Sequence, residues 1–133
     1  MTDGSSNRRW VSSGSPFESR VGYCRAVAVG DHVWISGTAP QWPDGTVLED
    51  AGAQARRCFE IIDEALGQFG GGLADVVRVR VFLVDATDFE SVAAVHGELF
   101  ADVRPTNTTL VVAALLDPRW KVEIEVDAVL GGQ

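Results

Sequence analysis

The chain has little of what many functional classes require. It holds two cysteines, Cys24 and Cys58, in 133 residues, which make neither a disulfide framework nor a zinc-type spacing. It has two histidines, His32 and His96. Neither has a partner at metal-ligand spacing, so both are expected to be structural. No Ser-His-Asp or Cys-His constellation can be assigned. No apolar run approaches the roughly 18 residues of a membrane span. The N-terminal segment has no apolar stretch behind Arg8 and Arg9 and does not read as a signal peptide. Residues 1–8 are expected to form a loose tail, and the expected location is the cytoplasm. No repeat, low-complexity stretch or linker is visible, so residues 1–133 read as a single domain.

Positive charge is also scarce. Eleven Lys and Arg against nineteen Asp and Glu leave a formal net charge of −8. That opposes binding to nucleic acid, where affinity comes largely from cations neutralising phosphates. It equally opposes an anionic membrane surface. A small anionic ligand remains possible, because one local arginine can outweigh a distant net charge.

What is present reads as a globular α+β chain. Trp10-Val11-Ser12-Ser13 is expected to be a first strand. Ala26-Val27-Ala28-Val29 and His32-Val33-Trp34-Ile35-Ser36 follow as strands about a Gly30-Asp31 turn, with Trp34 in the core. Apolar residues recur at helical spacing from about Asp50 to Phe69, with Cys58 as a core thiol, and Gly70-Gly71-Gly72 ends that helix. Ala74 to Leu83 is a valine-rich strand. Asp88 is a candidate N-cap for a second helix through about Asp102.

The last thirty residues are the most informative. Arg104 to Val112 and Lys121 to Ala128 are β-rich and flank Asp117-Pro118-Arg119, as expected of a hairpin. The returning segment puts Glu123, Glu125 and Asp127 on one face and Val122, Ile124, Val126 and Ala128 on the other. Such a carboxylate ladder is either a solvated face or a polar site. The predicted order is β-β-β-α-β-α-β-β, with both helices on one face of the sheet.

Five segments, in order, resemble the RidA family, also called YjgF-like or L-PSP endoribonuclease-like. They are Gly22-Tyr23-Cys24-Arg25-Ala26-Val27, Ser36-Gly37-Thr38-Ala39-Pro40, Asp75-Val76-Val77-Arg78, Arg104-Pro105 and Val122-Glu123-Ile124-Glu125. The resemblance implies a chorismate-mutase-like α+β fold in a homotrimer, with ligand clefts between neighbouring subunits. It implies hydrolysis of small reactive enamines or imines to 2-keto acids and ammonia, with no metal or organic cofactor. Residue by residue, it carries over Tyr23 and Gly37 as substrate-binding and Glu123 as the group that orients the attacking water.

One position departs from the family pattern. Where active deaminases carry Pro-Ala-Arg-Ser, this chain has Pro105-Thr106-Asn107-Thr108. Asn107 stands in place of the arginine that grips the substrate carboxylate. An amide offers neutral donors in place of a charge-assisted bidentate clamp.

Several roles stay open at this level. Glu123 is either catalytic or one rung of a solvated ladder, and it is expected to face position 107. Asn107 is either a polar clamp or a strand-entry residue bonded to nearby backbone. Arg25 shares strand parity with Tyr23 and either reaches the cleft or lies on the surface. The Thr108–Thr109 region is a further substrate-binding candidate. Cys24, beside Arg25, is either a reactive thiol or an inert half-buried one. Trp42 is a candidate roof for a cleft or interface. The functional expectation is a RidA-like hydrolase with altered substrate recognition; the alternative is a non-catalytic trimer that binds a small metabolite. A ribonuclease is disfavoured by the acidity and by the lack of a histidine pair for acid-base cleavage.

Overall fold

The computed structural model describes residues 2–3 and 7–131. Its strands are β1 (Thr2–Asp3), β2 (Arg8–Val11), β3 (Ala26–Val29), β4 (His32–Thr38), β5 (Val76–Leu83), β6 (Thr106–Val111) and β7 (Val122–Val129). The helices are α1 (Phe17–Val21), α2 (Ala51–Gly67) and α3 (Phe89–Phe100). All seven strands form one sheet in the order β1-β2-β3-β4-β7-β5-β6.

The predicted terminal hairpin does not form. β7 runs between β4 and β5 and pairs antiparallel with both. β6 lies beyond β5 and pairs with it in parallel. The physical reason is burial. Val122, Ile124, Val126 and Ala128 are all buried, so their strand needs a neighbour on each side and a layer above it. β6 is largely exposed along its length and takes the edge. The helix α3 supplies the long crossover that a parallel β5–β6 pair requires.

The apolar face of the sheet is covered by α2, which contacts β4, β7 and α3. Asp50 caps α2 by accepting a bond from the Ala53 amide at 2.8 Å. The helix places Ala55, Cys58, Phe59, Ile62 and Leu66 in the core, at the spacing of one helical face. Gly70, at φ 85°, supplies the left-handed residue that turns the chain after it. Phe59 meets Phe100 of α3 edge-on, with ring centroids 5.2 Å apart.

Other local expectations shift. The first strand ends at Val11, and Ser12 instead bonds Glu18 of α1, a short helix that the apolar pattern does not signal. Leu73–Asp75 is a 3-10 turn, so β5 starts at Val76. Asp88 makes no side-chain cap. It belongs to a 3-10 turn, Ala86–Asp88, which Asp85 caps through the Thr87 amide. Trp34 is 43% exposed rather than in the core. Val33 and Ile35 pair with Ala28 and Ala26 and take the inward parity, which leaves Trp34 facing out. The tail expected over residues 1–8 lies partly outside the described residues; Thr2–Asp3 pair with Arg8–Arg9. Among the described residues, no helix is long and apolar enough to cross a membrane.

Candidate functional site

The helices leave the other face of the sheet uncovered, and Glu123, Glu125 and Asp127 project there. All three are half-buried. Two of them are neutralised by the neighbouring strand. Arg80 lies 3.5 Å from Glu125 and 3.8 Å from Asp127, and Arg78 lies 3.6 Å from Asp127. The register that pairs Arg80 with Glu125 and Arg78 with Asp127 produces these contacts. A cavity of about 330 Å³ opens beside them, lined by Cys24, Trp34, Ser36, Arg80, Glu125 and Asp127. Its charges are already paired, and Glu123 lies outside its lining.

Glu123 is different. It pairs across to Phe82 rather than to an arginine and takes part in none of the ion pairs of this face. On its other side β4 is irregular. Ile35 pairs with Val126 and Thr38 with Ile124, so Ser36 and Gly37 form a bulge. The bulge is held by the Ser36 amide to the Arg25 carbonyl at 2.9 Å and by Ser36 Oγ to the Cys24 carbonyl at 2.6 Å. Gly37 has no side chain, and the Glu123 carboxylate occupies the space that one would take. A Cβ added there would collide with Glu123 Oε2 and lie 3.3 Å from its Cδ. The glycine is required by this close approach, not by its backbone angles.

Arg25 completes the group. Its Nη1 donates to Thr38 Oγ1 at 3.1 Å, and Thr38 is fully buried. Burial lowers the pKa of the guanidinium, opposed by Tyr23, Glu18, Cys58 and Glu123 around it. A guanidinium still stays protonated near neutral pH. Burial raises the Glu123 carboxyl above its ordinary value, Glu125 raises it further and Arg25 pulls it back down. Beneath them the Cys58 thiol donates to the Thr38 carbonyl at 3.2 Å. Burial pushes that thiol far up, as expected of a core cysteine. Cys24 is also raised, chiefly by burial, which removes the reason for reading it as reactive.

Arg25, Gly37 and Glu123 are thus brought to one place, with Tyr23 near enough to Arg25 to oppose the effect of burial on it. Arg25 is half-buried. Asn107 and Thr109 lie elsewhere in the subunit. Directly paired residues share a face of the sheet. Asn107 pairs with the core residue Val79, and Thr109 with Val81, so both are on the helix side. Glu123 is on the opposite side, so the two residues do not face each other within one subunit. Asn107 instead lies 3.2 Å from His96 Nε2 on α3 and accepts from Thr109 Oγ1 at 2.8 Å. His96 contacts the rings of Phe59 and Phe100, and burial lowers its pKa.

Sequence reasoning missed Thr38, Arg78 and Arg80. Thr38 is inside the Ser36-Gly37-Thr38 segment, but its burial depends on the bulge. The two arginines are visible as a polar strip along β5, yet only the pairing register sets them against Glu125 and Asp127. Trp42 stacks on Arg57, whose guanidinium carbon is 3.9 Å from the ring centroid. Among the described residues, no cluster of His, Cys, Asp and Glu could hold a metal ion.

The sheet with its helices on one side, and the Gly37–Glu123 contact on the other, define a small α+β protein of the RidA or YjgF class. The family model described as Endoribonuclease L-PSP matches residues 14–130, and the chain belongs to that family. An uncharacterised protein of Streptomyces coelicolor is 42% identical over 124 residues, 92% of each chain. A crystal structure from Mycobacterium tuberculosis, described as a member of the YjgF/YER057c/UK114 family, superposes with a TM-score of 0.84 at 43% identity. That match covers 92% of this chain and 99% of the other. A 2-iminobutanoate/2-iminopropanoate deaminase of Salmonella typhimurium is 34% identical over 110 residues, covering 80% of this chain and 86% of that protein.

Proposed function

We propose that the protein is a RidA-like hydrolase that deaminates a small enamine or imine, in a cleft completed by a neighbouring copy of the chain. The observation that carries this reading is Glu123, a half-buried carboxylate packed against Gly37. Its raised pKa makes it a stronger base than an ordinary glutamate. The deaminase among its relatives supports the same chemistry.

In the proposed reaction, water adds across the C=N bond of the imine. Its oxygen bonds to carbon, and one of its protons passes through Glu123 to nitrogen. The resulting carbinolamine passes its hydroxyl proton through the same carboxylate to nitrogen. The C–N bond then breaks, nitrogen leaves as ammonia and a 2-keto acid remains. Backbone groups of the bulge at Gly37 hold the substrate, and Tyr23 covers it. Recognition is altered at position 107, where an amide replaces a guanidinium. Asn107 and Thr109 stand on the opposite face from Glu123, so they reach a Glu123 cleft only from another copy.

Ammonia release from freshly generated 2-aminoacrylate tests the reading. Glu123→Gln is expected to abolish release, because an amide cannot relay the protons, while leaving the assembly intact. Undiminished release from that variant would sink the assignment. The absent arginine at position 107 favours a second reading, a metabolite-binding module without turnover. Binding of 2-ketobutyrate with no ammonia release by the parent protein would select it.

A further inference from the structure

Among the described residues, the ion pairs of the open face run from Arg78 and Arg80 to Glu125 and Asp127, and Arg25 belongs to none of them. Glu18 and Glu123 are near enough to oppose the effect of burial on it, but its guanidinium donates to a neutral hydroxyl, Thr38 Oγ1. A guanidinium has several N–H donors arranged as a fork that matches a carboxylate. Here that fork is half-buried, so part of its desolvation cost is met when the protein folds, before any ligand arrives. Glu123 is near enough for the two charges to perturb each other, yet it does not form the ion pair.

Position 107 is unsuited to the same task within the subunit. Both ends of the Asn107 amide are engaged, one with His96 and the other with Thr109. We propose that Arg25, anchored through Thr38, clamps the carboxylate of an anionic ligand beside Glu123 and so takes over the task that the resemblance assigns to position 107. This deepens the proposed function and rests on it: the ligand class is a small 2-imino or 2-enamino carboxylate, and Arg25 determines the preference for its charge. Thr38 is a positioning residue, since it holds the guanidinium and does not touch ligand. The group enters from the β3 end of the site rather than from the β6 edge.

The test is a binding comparison that needs no turnover. 2-Ketobutyrate and its neutral analogue 2-oxobutanamide are titrated calorimetrically at pH 7 into the parent protein and its variants. The parent is expected to bind the anion about tenfold or more tightly than the amide, the scale that separates a charge-assisted from a neutral clamp. Arg25→Gln keeps a donor for Thr38 and should erase that preference. Arg25→Lys should restore part of it. Equal affinity of the parent for the two compounds, or none for either, overturns the proposal without any variant. So does a preference that survives Arg25→Gln. Glu123→Gln separates the two claims. If it retains turnover while the Arg25 results hold, the catalytic reading fails and the anion clamp stands.

Discussion

Among the described residues, Glu123 and Arg25 take no part in the ion pairs that Arg78 and Arg80 make with Glu125 and Asp127. For Glu123 this has a thermodynamic consequence. Its folded pKa lies above the ordinary value of 4.5, first through burial and then through Glu125, with Arg25 opposing. Between the two values the folded state binds more protons than the unfolded chain, so stability falls as pH rises through that window. Glu123→Gln removes the titration. The variant is expected to be more stable than the parent at neutral pH, with the gain disappearing below about pH 4.5, where both states of the parent are protonated. Urea unfolding from pH 3.5 to 7.5 measures this. A parent more stable than the variant at pH 7 would contradict the direction of the shift. At this scale much of the site was readable. The segments holding Tyr23, Gly37 and Glu123 pointed to the residues that converge. The departure at Asn107 is visible in its segment, but its contact with His96 is not, because His96 is eleven residues away on another element.

Elements were legible where their hydrophobic period was sustained. The strand pair 26–29 and 32–36, helix α2 and the alternation along β7 all follow from local pattern, while the extension of β4 to Thr38 does not. Pairing was not legible. Proximity in sequence suggested that β6 and β7 form a hairpin, but the long link between them passes over β5. That link is anchored by the buried Gln54 of α2. Its Nε2 donates to the Leu48 carbonyl at 2.7 Å and the Arg119 carbonyl at 2.9 Å, and its Oε1 accepts from the Lys121 amide at 2.7 Å. Gln54→Ala would leave three backbone groups without these partners. The expected loss is about 3 kcal/mol, given roughly 1–3 kcal/mol for each unsatisfied buried group and partial rescue by water. Chemical denaturation gives the value, and a change under about 0.5 kcal/mol, the scale of ordinary surface substitutions, would show that the link is held otherwise. The bulge at Ser36–Gly37 belongs to the same class of feature. A Ser-Gly-Thr sequence does not announce it, because it arises from the mismatch in register between β4 and β7.

For the whole molecule, the uncovered sheet face is the main physical problem. Trp34 and Leu110 are 43% and 48% exposed on the same side as the Arg78, Arg80, Glu125 and Asp127 pairs. Apolar surface of this kind interspersed with paired charges fits association with further copies better than solvent. The proposed trimer predicts a sedimentation mass about three times the 14.3 kDa of the chain at micromolar concentration. A mass equal to that of one chain would exclude it. On this face two arginines offset two carboxylates, so the excess negative charge lies elsewhere on the chain and is a poor guide to what the site attracts.

The sequence by itself determined the α+β class, the residues that line the inner face of β7, much of the core face of α2, the family and the departure at position 107. These are local or additive properties: a period of two or of about four, a motif, a substitution. Only the tertiary structure decided which strand lies beside which, which carboxylates are neutralised and that Arg25 stands outside those pairs. The reason is that pairing register and sheet order are chosen by the burial of the whole apolar face. The same choice that put β7 at the centre set Arg78 and Arg80 against Glu125 and Asp127. It left Glu123 against a glycine, with Arg25 close by.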